Sequence, residues 1–157
     1  MTSPPPPSPP PSPLTAHLGY WLRLVSNTVS HAFAGRLAAL DVGVADWVLM
    51  RHLFDGGPTS PGELAAALGM TRGAISKLED RLLDRGLVAR VPDATDRRSH
   101  RLLLTGEGCA LVPRLAALAD ENDAAFFGDL DPGVRAALGE ALRAGAAAHG
   151  LRHPPLT

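Results

Sequence analysis

The sequence predicts a mainly α chain with a small β-wing, and three observations carry that expectation. Aromatic residues make up only 4% of the chain while alanine and leucine abound, which favours helix over sheet. Apolar residues recur at helical spacing from Leu14 onward. A tight two-helix unit beginning at Pro61 runs directly into two short β-prone stretches around a basic loop. At 157 residues the chain is long enough for one domain with a sizeable core.

Residues 1–13 hold eight of the fifteen prolines and read as a disordered or polyproline II tail, either a plain extension or a ligand for a proline-recognition module. Leu14, Leu18, Trp21, Leu22, Val25, Val29, Phe33, Leu37 and Leu40 then form the stripe of a first helix over 14–40. That stripe is longer than a compact domain needs, so part of it is expected to face another chain. A second helix over 44–54 turns Val44, Trp47, Val48, Leu53 and Phe54 toward the core, and Asp55-Gly56-Gly57-Pro58 stops it.

Ser60, Pro61 and Glu63 make a capping box for a third helix ending at Gly69. Small Ala65 allows close helix contact there, and Gly69 supplies the left-handed turn. Thr71 caps a fourth helix with Ile75, Leu78 and Leu82 buried and Arg72, Gly73, Ser76, Lys77, Asp80 and Arg81 free. Gly86 ends it, and 87–91 and 101–105 read as strands around the loop 92–100, a wing. Thr105 caps a fifth helix to about Phe127, with a kink expected at Pro113. Leu111, Leu115, Leu118, Asn122 and Ala125 form a helix-packing seam in it, where Asn122 either sets register between chains or is exposed. Asp131-Pro132 opens a last helix with Val134, Leu138, Leu142 and Gly145 on one face, and the chain is expected to fray after His149. The divisions are therefore 1–13 tail, 14–40 dimerisation helix, 44–105 winged helix-turn-helix lobe, 106–149 dimerisation helices and 150–157 frayed tail.

Net charge is −1, but the charges are segregated: eight of the 15 basic residues lie from Arg72 to Arg101, against five acids. A helix-turn-helix with a basic wing points to double-stranded DNA. Thr71, Arg72, Gly73, Ser76 and Lys77 lie on the half of the reading helix that reaches base edges, with Arg72 suited to guanine. Arg81 is expected to clamp a phosphate. Arg97 and Arg98 can enter a narrow minor groove, and Asp96 is expected to orient one of them by an ion pair.

Other classes find less support. No leader and no run of 18 apolar residues is present, so a cytoplasmic protein is expected. Cys109 is the single cysteine, readable as a small buried hydrophobe or as a thiol switch. His17, His31, His52, His100, His149 and His153 show no metal-ligand spacing on one helix face, and no metal or cofactor is expected. No phosphate loop, nucleophile elbow or paired carboxylate suggests an enzyme.

The element order resembles the MarR family of winged-helix transcription regulators. So do Asp96-Arg97-Arg98 with Leu104-Thr105-Gly106-Glu107-Gly108, Val44-Ala45-Asp46-Trp47-Val48-Leu49, and Leu78-Glu79-Asp80-Arg81-Leu82 through Arg85-Gly86-Leu87-Val88. The chain departs from that pattern at Val42-Gly43, where many members carry a hydroxyl cap. The resemblance implies a homodimer whose terminal helices intertwine, two lobes on a pseudo-palindromic operator, Arg98 in the minor groove, and repression released by a small aromatic or phenolic effector. Tyr20, Trp21, Leu24, Trp47, Met50 and Arg51 are the residues that could line the effector crevice. Alternatively, Trp21 and Trp47 are core and Arg51 is surface. A winged-helix protein-interaction scaffold and a thiol- or metal-sensing regulator of the same fold are the other readings.

Overall fold

A computed structural model describes residues 9–154; the expected proline-rich tail lies mostly outside them. After a short 3-10 turn, Leu14–Ala16, come α1 (Leu18–Ala38), α2 (Val44–Gly56), α3 (Pro61–Leu68), α4 (Arg72–Asp84), β1 (Val88–Pro92), β2 (His100–Leu104), α5 (Gly106–Phe127) and α6 (Pro132–Ala148). The mainly α chain with its two-stranded wing is the predicted fold class.

The first helix begins four residues later than its apolar stripe suggests. His17 is extended (φ −94°, ψ 124°) with no side-chain cap, and the Trp21 indole N–H donates to the Thr15 carbonyl at 2.9 Å. At the other end Asp41 takes a left-handed φ of 54°, which a short polar side chain tolerates. The Val42 N–H then closes on the Leu37 carbonyl at 3.2 Å. Gly43 has no side chain with which to cap α2. Asp46 supplies the missing half instead, its Oδ2 accepting the Gly43 N–H at 2.8 Å.

Around α3 and α4 the local hydrogen bonds are those expected. The Ser60 N–H donates to Glu63 Oε2 at 2.8 Å and the Glu63 N–H to Ser60 Oγ at 3.3 Å. Gly69 is left-handed at φ 63°, and Thr71 Oγ1 accepts from the Ala74 N–H at 3.1 Å. The strands pair antiparallel from Val88 with Leu104 to Pro92 with His100. That lies one residue off the expected spans, leaving 93–99 as the loop. A contact the sequence does not suggest is a bridge between Thr59 and Leu102, with both N–H···O bonds at 2.9 Å.

Thr105 joins wing and α5: its hydroxyl accepts the Gly108 N–H at 3.2 Å and donates to the Gly86 carbonyl at 2.6 Å. A Cβ on Gly108 would run into the Leu87 carbonyl and stand 3.1 Å from Leu104. α5 continues through Pro113 without a break, so the helix absorbs the one amide that proline removes.

The core lies in the lobe and the base of α1 and α5: Leu37, Leu49, Met50, Leu53, Leu64, Ile75, Leu82, Leu102, Val112 and Leu115 are buried. One expected core position is not. Phe54 is exposed, with the Arg51 guanidinium 5.9 Å above its ring, because the buried face of α2 is rotated toward Asp46, Leu49, Met50 and Leu53. Ala125 of the seam is exposed too. Asn122 is buried within its own chain, its Nδ2 donating to the Val29 carbonyl at 3.2 Å while its Oδ1 has no partner. Leu151–Pro154 carries no regular structure, yet the His153 ring lies against Gly69, so this segment folds back on the lobe rather than fraying away from it. Of its residues α1 buries only Leu37, and α6 buries none.

Two glycines give opposite expectations. Alanine at Gly108 should lower unfolding free energy by about 1–3 kcal/mol through overpacking. Alanine at Gly73, which has nothing within 4 Å of its Cβ position, should raise it by up to about 1 kcal/mol. Urea unfolding of both variants checks the pair.

Candidate nucleic-acid interface

The lobe's basic residues divide into two groups by what they touch. Arg81, Arg85, Arg90 and Arg101 are held by the fold. The Arg81 Nε donates to Asp46 Oδ1 at 3.2 Å and its Nη2 pairs with Oδ2, while the Asp46 side chain is 0% exposed. The expected phosphate clamp is therefore a pin between α4 and α2. Arg85 donates to the carbonyls of Leu40 (3.2 Å) and Asp41 at the end of α1. Arg90 pairs with buried Glu79, whose hydrogen bond pushes the guanidinium pKa further up. Arg101 reaches Asp93 at 3.1 Å, both oxygens of Glu63 at 3.1 and 3.3 Å, and the Pro58 carbonyl at 3.0 Å.

These bonds tune the acids as well. Glu63 is held below the usual carboxylate range, first by the Ser60 N–H and hydroxyl and then by Arg101. Asp93 is lowered in the same direction, first by the Thr95 N–H and hydroxyl and then by Arg101. Both therefore support the folded lobe at neutral pH, and that support is lost as pH falls through and below the ordinary carboxylate values of about 4.

Arg72, Lys77, Arg97 and Arg98 are exposed, and among the described residues they form no salt bridge. Thr71, Arg72, Gly73, Ser76 and Lys77 stand together on the exposed first half of α4. Arg72 also reaches back beside Gly62, at the start of α3. Asp96 does not make the expected ion pair. Its Oδ1 accepts the backbone N–H of Arg98 at 2.9 Å, and its carbonyl takes the Ser99 N–H at 3.0 Å. It shapes the wing turn and leaves both guanidiniums free. Between α4 and the wing runs a polar groove of about 510 Å³ bordered by Arg72, Ser76 and Arg98.

The six residues singled out for a crevice do not converge. Tyr20 and Trp21 stack edge to face at 5.2 Å, and Trp21 lines an apolar cleft against Leu138 and Leu142 of α6. Leu24 is exposed, Met50 is sealed in the core, and Arg51 is tied to Asp55 at 2.9 Å. Trp47 alone lines a cavity of about 800 Å³ between α1, α2 and α4, with Ser30, His31, Phe33, Val44, Leu78 and Arg81. The sequence signal missed was the second half of the α1 stripe, where Phe33 meets Trp47 edge to face at 6.5 Å. Cys109 is exposed within this chain. No group of three His, Cys, Asp or Glu among the described residues is placed to hold a metal ion, and no described helix is long and apolar enough to cross a membrane.

A model of the MarR family matches residues 40–99. BpsR of Bordetella bronchiseptica, whose DNA binding is regulated by 6-hydroxynicotinic acid, is 26% identical, with a TM-score of 0.74 over 87% of this chain and 98% of that one. A mutant MarR of E. coli complexed with operator DNA is 24% identical, with a TM-score of 0.70 over 80% and 91% of the two chains. MepR, a regulator of the Staphylococcus aureus efflux pump MepA, is 20% identical, with a TM-score of 0.72 over 84% and 98%.

The two groups of cations should separate by experiment. Arg81→Ala strands a buried carboxylate. Because the guanidinium is half exposed, the cost should be about 2–3 kcal/mol, below the 3–5 of a fully buried pair. Arg98→Ala should change stability by less than about 0.5 kcal/mol. Denaturant midpoints for the two variants test the division.

Proposed function

We propose that this chain, a winged-helix protein of the MarR family, is a sequence-specific DNA-binding regulator of transcription that acts as a homodimer and represses until a small aromatic or phenolic acid releases it. The observation that carries the reading is the set of four cations on the reading helix and the wing that form no salt bridge among the described residues, in a lobe whose other arginines are held by carboxylates and carbonyls. Thr71, Arg72, Gly73, Ser76 and Lys77 address the major groove, Arg72 by two hydrogen bonds to guanine. Arg97 and Arg98 address the minor groove, with Arg98 inserted and Asp96 fixing the turn that presents it. The work is binding, in the cytoplasm with the DNA.

The dimer reading rests on apolar surface. Leu18, Trp21, Leu22 and Val25 of α1, with Val134, Leu138 and Leu142 of α6, are 37–74% exposed, a patch that a single chain in water does not ordinarily leave open. A two-fold axis through 14–40 and 106–149 covers it with its own copy and leaves two 44–105 lobes to meet half-sites about 10 base pairs apart. The effector reading rests on the cavity at Phe33 and Trp47. A ring stacked there sits beside the Arg81–Asp46 pin between α2 and α4, so occupancy can shift the reading helix. BpsR, regulated by 6-hydroxynicotinic acid, suggests the ligand class.

Selection of random duplexes by the purified protein at near-physiological salt tests the reading. An inverted repeat with half-sites one turn apart is expected; retention without any motif would contradict it. On the recovered duplex, Arg98→Ala should weaken binding by about 1–3 kcal/mol, and unchanged affinity at matched salt would remove the wing assignment.

A further inference from the structure

Glu79 lies on α4 with 3% of its surface exposed, a carboxylate buried where α4 meets the wing. Its Oε1 takes two donors from the wing. One is the Nε–H of Arg90 on β1; the other is the His100 Nε2 at the start of β2, at 2.7 Å. Arg90 also reaches Asp80 Oδ1 at 3.4 Å. One buried oxygen on the reading helix thus ties down both strands of the wing. Hydrophobic contacts under a two-stranded ribbon permit sliding, whereas an ionic hydrogen bond at each strand fixes direction as well as distance.

The two arms differ in kind. Arginine stays charged at any working pH, but histidine gains and loses its proton between about pH 5 and 8, and the His100 ring is 37% exposed. Its surroundings define what the proton does. The groove is lined by Arg72 from α4, by Asp96 and Arg98 from the wing loop, and by Glu79, Arg90 and His100 at its floor, with Asp80 touching Arg90 from the side. Three guanidiniums lining the groove face two carboxylates, so protonation of His100 raises the net positive charge beside any docked phosphate.

We propose that Glu79 is a positioning residue that holds the wing in register with the reading helix, and that its His100 arm makes the grip on DNA proton-dependent, tighter when the imidazole is charged. The inference rests on the DNA-binding reading above. The sign follows from linkage. A phosphate backbone entering the groove favours the charged imidazole, so binding takes up a proton and the dissociation constant rises with pH through the histidine range. A neutral His100 still donates from Nε2 to Glu79, so the wing loosens but is not released.

The experiment is fluorescence anisotropy on the selected duplex from about pH 5.5 to 8.5 at fixed ionic strength, with wild type, His100→Gln and Glu79→Gln. Between about pH 6 and 8 the wild-type dissociation constant should rise about 3- to 10-fold per protonated lobe relative to His100→Gln, whose amide can still donate to Glu79 but cannot titrate. Glu79→Gln should bind more weakly at every pH, and combined with His100→Gln it should cost less than the sum of the two single losses, because both changes break the same link between α4 and the wing. A Glu79 that supports the fold without acting through His100 would give strictly additive losses. His100→Gln, altering a partly exposed side chain, keeps the test decisive even if Glu79→Gln does not fold. Specific binding with superimposed wild-type and His100→Gln profiles overturns this inference alone. No specific binding by wild type at any pH overturns the DNA-binding reading and this inference with it.

Discussion

A carboxylate removed from water must be met by a cation or by several hydrogen-bond donors, or it destabilises the fold that buries it. The lobe buries three: Asp46, Glu79 and Asp93, at 0%, 3% and 8% exposure. Their partners fix the geometry of the lobe. Asp46 caps α2 through the Gly43 N–H and pins α4 through Arg81. Glu79 holds the wing through Arg90 and His100. Asp93, accepting from Thr95 and pairing with Arg101, closes the wing base onto Glu63 and the start of α3. Each link joins elements that apolar packing alone would leave free to slide, and together they orient the reading helix against the wing.

This constraint also decides which basic residues remain available. Sequence charge counts place eight cations between Arg72 and Arg101, an apparent excess that an electrostatic argument would assign wholesale to DNA. Half of them neutralise the lobe's own acids or cap its helix ends. The remaining four cluster on the two elements that a winged helix presents to a duplex. Away from the lobe, α1 and α6 bury almost nothing within one chain, so the proposed second copy would complete the hydrophobic core as well as double the reading surface.

What could be read from the sequence was what is settled within three or four residues. Ser60 with Glu63, Gly69, Thr71, Gly86 and Thr105 each satisfy a backbone group close by, so α3, the turn and α4 lie where their capping residues say. The wing strands came out one residue displaced because strand ends carry no comparable signal. The basic loop between two β-prone stretches located the wing, but not the partner of Asp96, since a short carboxylate next to a turn meets a backbone N–H before it meets a guanidinium. The ion pair of Arg81 was not legible because its partner lies 35 residues away, and periodicity gives the face of a helix without naming the partner of a polar residue on its edge. The same limit explains α2. A rotation of that helix puts Met50 in the core and Arg51 on the surface, so neither joins Trp47, and the cavity draws instead on Ser30, His31 and Phe33 from the far half of α1.

The division of the cations is the claim on which the functional account depends, and salt titration of DNA binding reads it directly. Each cation removed from the DNA surface should flatten the plot of log affinity against log salt by up to about one unit. Alanine variants at Lys77 and Arg97 should flatten it while leaving the fold intact, and Arg85→Ala should leave the slope unchanged. Unchanged slopes for Lys77 and Arg97, or a flattened slope for Arg85 in a folded protein, would contradict the account.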